Sequence, residues 1–276
     1  MTTKPQTQNM ALFCDFENVA LGVRDAKYAA FDIQRVLERL LVKGSIVVKK
    51  AYCDWDRYKE FKAAMHEAAF ELIEIPHVRQ SGKNSADIRM VVDALDLCYT
   101  KSHLDTFVIV SGDSDFSPLV SKLRENNKVV IGVGVKNSSS DLLIANCDEF
   151  IYYDDLVRKK KPRKKPTRKP VRQGAKSTAG SALPEKEAEE RIQEALDLIM
   201  ETLEALAEER GSEEKIWGSM VKQTLKRRRP GFNESYYGFR SFKRLLEEAA
   251  ARELMELEPD EKSGGYIIKS FHQDDE

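Results

Sequence analysis

The chain is poor in the residues that build redox, zinc or membrane functions. Only four of its 276 residues are cysteines, Cys14, Cys53, Cys98 and Cys147, and none forms a CxxC pair. That spacing excludes a zinc ribbon or a thioredoxin-like motif, and the thiols read as reduced core residues. The four histidines, His66, His77, His103 and His272, show no ligand spacing, so no zinc site is assigned. No apolar run reaches the roughly 18 residues that a membrane helix needs. The opening Met1-Thr2-Thr3-Lys4-Pro5 has no apolar signal region, and a soluble, cytoplasmic protein without membrane contact is expected. A P-loop is lacking too, because His77 stands where the glycine five positions before Gly82-Lys83 is required. Gly132 and Gly134 supply only a GxG fragment of a dinucleotide motif.

Charge is present but segregated. The net charge is −1, yet residues 156–176 carry eleven basic and no acidic groups, whereas residues 1–155 are net −4 and residues 177–276 are net −8. A basic block between two acidic modules suggests a tether that holds a polyanion. The stretch 158–184 is rich in Lys and Arg, broken by Pro162, Pro166 and Pro170, then small and polar. It buries too little apolar surface to offset its ordering entropy and is read as a disordered linker.

Before that linker, apolar, β-branched runs at 10–16, 45–53, 70–76, 105–111 and 128–135, and a further one at 150–153, alternate with helical patterns at 31–43, 57–69, 86–100, 116–126 and 140–146. Repeated β-α-β order predicts an α/β domain over 1–157, with a mainly parallel sheet covered on both faces. In the helix at 86–100, Ile88, Val91, Val92, Leu95 and Cys98 recur at three- and four-residue spacing, which predicts its buried face. Residues 185–276 predict a small winged-helix domain. Its helices lie at 185–210, 216–226 and within 236–257, and its hairpin joins 254–257 to 266–268 across the turn 259–265.

Carboxylates gather where strands end. Asp15-Phe16-Glu17-Asn18 follows the first apolar run, Ser111-Gly112-Asp113-Ser114-Asp115 follows the fourth, and Gly82-Lys83-Asn84-Ser85-Ala86-Asp87 opens a helix. Ligands of open α/β sheets bind beyond the carboxyl ends of strands. Acids collected there repel one another, and a hard divalent cation with oxygen ligands relieves that repulsion. Local roles compete with this reading: Asp15 or Asn18 in an Asx turn or cap, Asp115 or Ser114 as a helix cap, and Asp87 as a favourable acid in a first helical turn. Asp93 faces either the same cleft or solvent, and Lys83 is placed to contact a phosphate.

These motifs, with Val92-Asp93-Ala94 and the continuation to Phe116, resemble those of the NYN domain, a member of the PIN-like ribonuclease group, over about residues 1–156. The resemblance implies a Rossmann-like sheet and a site dependent on Mg²⁺ or Mn²⁺, with Asp15, Asp87, Asp113 and Asp115 as metal ligands and Asn18 beside them. Asp93 is a further candidate. Residues 190–270 are similar to OST-HTH/LOTUS winged-helix domains, through Pro230-Gly231-Phe232-Asn233-Glu234 and Tyr237-Gly238-Phe239-Arg240-Ser241-Phe242. That resemblance implies RNA binding. Lys226, Arg227, Arg228 and Arg229 would meet phosphates, with Arg240 nearby, and Tyr236 or Tyr237 would stack on bases.

The expected function is metal-dependent cleavage of RNA by a chain that also carries an RNA-binding domain. A non-catalytic RNA-binding regulator is the first alternative. An aspartyl phosphatase is the second, although such enzymes want Asp-x-Asp after the first strand and position 17 is glutamate. The sequence is compatible with a homo-oligomer and does not fix the oligomeric state.

Overall fold

A computed structural model describes residues 8–75, 85–158, 185–210, 215–260 and 264–271. Lys83 and all but the first residue of the 158–184 stretch lie outside the described residues. Contacts divide the chain into two compact units after Val157, with Lys226–Phe232 grouped with the first.

The first unit is a six-stranded sheet. In chain order its elements are β1 (Gln8–Asp15), α1 (Phe16–Asp25), α2 (Ile33–Leu41), β2 (Gly44–Cys53), α3 (Lys59–Glu67), β3 (Glu71–Glu74), α4 (Ser85–Thr100), β4 (Thr106–Val110), α5 (Ser117–Glu125), β5 (Val129–Gly134), α6 (Asp141–Asn146), β6 (Glu149–Tyr152) and α7 (Tyr153–Val157). A 3₁₀ turn, Ser114–Phe116, joins β4 to α5. The strands lie in the order β3-β2-β1-β4-β5-β6, and every neighbouring pair is parallel. This is the doubly wound order of a Rossmann-like fold, whose direction of winding reverses between β1 and β4.

Strand alternation builds two cores. Met10, Leu12 and Cys14 of β1, with Val108 and Val110 of β4, face α1, α2 and α3. Ala11, Phe13, Phe107 and Ile109 point the other way, toward α4, α5 and α6. Both faces are apolar because both are covered by helices. All four cysteines are buried and free.

Two expectations need correction here. Phe16–Asp25 is a helix, where the sequence predicts the end of a strand followed by an Asx turn or a cap and gives no helical run before residue 31. Gly22 and the β-branched Val19 and Val23 weaken its helical signal, but Val19, Gly22 and Val23 are buried against the sheet. Burial at Gly22 leaves no room for a side chain, since a Cβ there would lie 2.4 Å from Ser138 Oγ. In α4 the buried stripe is Met90, Ala94 and Cys98; of the predicted face, Cys98 is buried and Val91 and Leu95 pack against the core, while Ile88 and Val92 are 63% and 55% exposed. Small Ala94 and flexible Met90 let the helix approach the strands closely. The bulkier β-branched pair is left outward.

The second unit contains α8 (Glu185–Arg210), β7 (Ile216–Trp217), α9 (Gly218–Arg228), α10 (Phe242–Ala251), β8 (Met255–Pro259) and β9 (Tyr266–Phe271). Its sheet is antiparallel in the order β7-β9-β8. The predicted third helix is shorter than expected. Residues 233–241 form turns, with Gly238 at φ +91°, before Ser241 caps α10 by accepting a hydrogen bond from Arg244 N–H.

Candidate active site

The two acidic motifs meet at the reversal point between β1 and β4, each folded by its own side chains. Asp15 ends β1 and caps α1, with Oδ1 accepting from Asn18 N–H at 3.4 Å. Phe16 is the anchor of this turn, buried among Phe31, Trp55, Tyr58 and Phe61 with ring centroids 5.0–5.8 Å away. Glu17 turns outward and pairs with Arg57 at 3.2 Å. That ion pair does not supply the second acid of an aspartyl phosphatase.

After β4, Ser111 is fully buried and binds both motifs. Its Oγ donates to Asp15 Oδ2 at 3.0 Å and accepts from Asp113 N–H at 3.2 Å. Gly112 lies so close to the 138–139 backbone that a Cβ would come within 2.4 Å of Ser138 O. Its N–H donates to Asn18 Oδ1 at 2.9 Å. Asp113 caps the 3₁₀ turn by accepting from Asp115 N–H at 3.0 Å, and Phe116 anchors the far end in the core. Asp113 therefore caps the 3₁₀ turn, while α5, the helix that contains Pro118, has Phe116 at its cap position and no side-chain cap from Asp115 or Ser114.

Electrostatics reveal a shared field. Asp15 is 8% exposed, and its carboxyl is pushed up to about 7, first by burial and then by the negative charge of Asp87, with Asp113 adding to it. The hydrogen bonds from Ser111 and Asn18 act in the opposite sense. Asp87, in the first turn of α4, is pushed up to about 6 by burial and then by Asp113, Asp115 and Glu17. Asp15, Asp87, Asp113 and Asp115 thus act on one another across three segments of chain. Burial also pushes the Cys14 thiol well up, so it is a core thiol and not a nucleophile.

Among the described residues, no group of three or more His, Cys, Asp or Glu side chains is arranged to hold a metal ion. The donor chemistry nevertheless fits a hard divalent cation. The candidate ligands are all carboxylates, and among the described residues no basic group is a cause of the raised pKa of either Asp15 or Asp87.

Other predicted residues have different roles. Asp93 accepts hydrogen bonds from Tyr52 Oη at 2.9 Å, Arg89 Nε at 3.1 Å and Lys50 Nζ at 3.3 Å. It is engaged in a half-buried ion network beside β2, an arrangement that neither of the two placements expected for it, acidic cleft or solvent, describes. Asn18 uses its carbonyl oxygen on Gly112, leaving Nδ2 as its side-chain donor for a phosphate. In the second unit, Tyr237 is 9% exposed and its hydroxyl donates to Glu194 at 3.3 Å. It is a core residue, not a stacking platform. Arg240 of the same unit is exposed, and in the segment Lys226–Phe232, which groups with the first unit, Arg227, Arg228 and Arg229 are exposed and Lys226 is half-buried. Ser111 escaped sequence reasoning because a serine after a strand resembles any loop residue.

The NYN domain family model matches residues 9–154, more than half of the chain. The chain belongs to the NYN domain family. This family has a PIN-like nuclease fold. The chain is 27% identical over 154 residues to meiosis regulator and mRNA stability factor 1 of Xenopus tropicalis, covering 56% of this chain and 9% of that protein. It is 28% identical over 137 residues to an uncharacterised protein of Methanocaldococcus jannaschii, covering 47% of this chain and 54% of the relative. The chain therefore spans only a small part of the first relative and about half of the second. A crystal structure of a protein of unknown function from Vibrio parahaemolyticus superimposes with a TM-score of 0.50 at 26% identity, over 56% of this chain and 98% of that one.

Proposed function

We propose that the NYN unit is a metal-dependent ribonuclease whose acidic set is Asp15, Asp87, Asp113 and Asp115. The observation that carries this reading is the buried Asp15 carboxyl at the β1/β4 reversal point, under the negative field of Asp87 and Asp113 and with no basic partner among the described residues. Burying such a charge is costly unless a counter-charge arrives. A bound Mg²⁺ or Mn²⁺ would supply that charge, polarise the phosphate and lower the pKa of a water. Asp15 and Asp113 would hold the cation from the two strand ends, and Asp87 from α4. Ser111 fixes the Asp15 carboxylate through its hydroxyl. Asn18 would donate from Nδ2 to a phosphate oxygen, and Lys83 and Asp115 complete the proposed set.

RNA as the substrate is supported by family membership and by the name of the mRNA stability relative. We infer that the second unit is a winged-helix RNA-binding module of the OST-HTH/LOTUS kind, acting through Arg227, Arg228, Arg229 and Arg240, and that the basic stretch from 158 adds sequence-independent affinity. Among the described residues no helix is long and apolar enough to cross a membrane.

The second reading, an RNA-binding regulator that does not cut, is favoured by the lack of a ready three-ligand arrangement among the described residues. Incubating single-stranded and structured RNA with the full chain in Mn²⁺, Mg²⁺ or EDTA separates the two. Metal-dependent fragments that vanish in EDTA support the nuclease, whereas bound but uncut RNA supports the regulator.

A further inference from the structure

Strand β6 is the last strand of the first unit's sheet and pairs with β5 on one side. Its other side is covered. Phe150 N–H donates to Pro230 O at 3.0 Å, and Pro230 belongs to Lys226–Phe232, the segment that folds with this unit. The segment is shaped for the edge. Phe232 N–H donates to Arg229 O at 2.9 Å, closing a turn with Pro230 and Gly231 at its centre. Proline presets the first central φ of such a turn. Having no N–H, it meets a strand edge only as an acceptor. Gly231 lies against Tyr152, where a Cβ would come within 2.7 Å of the hydroxyl and 3.0 Å of the ring. Glu149 adds charge pairing, with Lys43 Nζ at 2.6 Å and Lys226 Nζ at 3.8 Å. Covering an edge strand prevents pairing with another chain. It does not account for Arg227, Arg228 and Arg229, three consecutive exposed arginines on the cover. The dipole of α9 favours cations in its last turn, but Arg229 lies beyond the helix end.

We propose that Lys226–Phe232 is a strap that seats Arg227, Arg228 and Arg229 on the nuclease unit, as a clamp for the backbone phosphates of an RNA strand that runs past Lys136 to the acidic set. This rests on RNA as the substrate, and it makes the arginines part of the unit that cuts. Every strand of the sheet runs the same way. Tyr152, the last residue of β6, therefore stands at the end of the sheet where Asp15 and Asp113 follow β1 and β4. Lys136 follows β5 at that same end, with its Nζ 6.0 Å from the centre of the Tyr152 ring. The 138–139 backbone just beyond it lies against Gly112. Positive charge thus continues from the strap along the carboxyl ends of the strands toward the acidic turn. Adjacent guanidinium groups repel one another, and a polyanion relieves that repulsion. Their planar forks match phosphate oxygens two at a time. Such contacts fix the register of a strand without reading its sequence.

The test combines amide hydrogen exchange with binding of a single-stranded RNA oligonucleotide to the full chain over a range of salt. In wild type the Phe150 amide is protected. Gly231→Val, which drives a side chain into Tyr152, and Glu149→Gln, which removes the charge that holds Lys226, both speed its exchange. The amide of Val108 in the central strand β4 stays protected in both, so the unit remains folded. Replacing Arg227, Arg228 and Arg229 with Ala lowers the slope of log K against log salt by about two, as three lost phosphate contacts require, and weakens binding about tenfold or more at 0.1 M salt. Gly231→Val lowers the slope in the same direction, and it changes binding no further when added to the triple variant. Four results would overturn the proposal: a Phe150 amide that exchanges freely in wild type, protection that survives both seating variants, a strap released without loss of RNA affinity, or a salt slope unmoved by the triple variant. RNA cleavage with an unmoved slope removes the clamp and keeps the nuclease. The full slope change in a chain that cuts no RNA keeps the clamp and removes the nuclease.

Discussion

The backbone N–H of Gly112 donates to Asn18 Oδ1 at 2.9 Å, tying the turn after β4 to the first turn of α1 across 94 residues of sequence. This bond, with Ser111 Oγ to Asp15 Oδ2, holds two acidic motifs in register at the point where the sheet reverses direction. Asn18→Ala leaves the N–H of buried Gly112 without its partner and should cost about 1–3 kcal/mol. Asn18→Asp keeps an acceptor but adds a negative charge. Thermal melts should show Asn18→Asp losing stability mainly above about pH 6 and regaining it in Mg²⁺, whereas Asn18→Ala loses it at every pH.

The raised carboxyls set a pH dependence. Asp15 and Asp87 bind protons more tightly in the folded chain than in the unfolded one, with folded values near 7 and 6. Their contribution to stability is therefore fully present below about pH 4 and is lost as pH rises toward 7. For buried Asp15 the loss is on the order of a few kcal/mol. In EDTA, denaturant melts of Asp15→Asn should show a flatter stability profile between pH 4 and 7 than wild type. A parallel profile would mean that Asp15 is not strained by its neighbours.

Ser111 is read as the residue that keeps Asp15 available to a cation. Its hydrogen bond acts to lower the Asp15 pKa, so Ser111→Ala should raise it and let protons compete better with metal. Calorimetric titration with Mn²⁺ should show weaker binding at pH 6 than at pH 8, with a larger gap between the two than in wild type. Equal pH dependence would separate Ser111 from the metal site.

Asp93 and Tyr237 serve as controls for the corrected assignments. Asp93→Ala leaves Lys50 paired with Glu71 at 3.3 Å and should lower stability by about 1–3 kcal/mol. Its Mn²⁺ binding, measured well below the melting temperature, should match wild type. Tyr237→Phe removes one hydroxyl bond to Glu194 and should leave RNA affinity unchanged. Replacing Arg227, Arg228 and Arg229 with Ala should weaken binding and flatten its salt dependence.

Much of this arrangement is written in local pattern. The strand runs, the parallel order and the placement of Asp15 and Asp113 at strand ends follow from alternation and from acids that add nothing to packing. Helix α1 was hidden because Gly22 has poor helix propensity, yet tertiary contact requires it. In α4, spacing correctly points to Val91, Leu95 and Cys98 but also takes in Ile88 and Val92, which have the right spacing for a core, while close packing on the sheet selects Met90 and Ala94. Tyr237 looks like a stacking residue in sequence, and only the fold shows it buried. Ser111 and the Asn18–Gly112 bond join residues more than 90 positions apart, a relationship no local spacing carries.

The most direct test of the acidic set is the rate of RNA cleavage by wild type and Asp113→Asn at matched, saturating Mn²⁺. Asparagine retains an oxygen to accept from Asp115 N–H, so the 3₁₀ turn and the melting temperature in EDTA should survive. Only the charge is lost. The expected result is metal-dependent cleavage by wild type and a loss of about 10²-fold or more in the variant, with both folded. Full-rate cleavage by Asp113→Asn, or no cleavage by folded, metal-saturated wild type on any RNA, would contradict the proposed site.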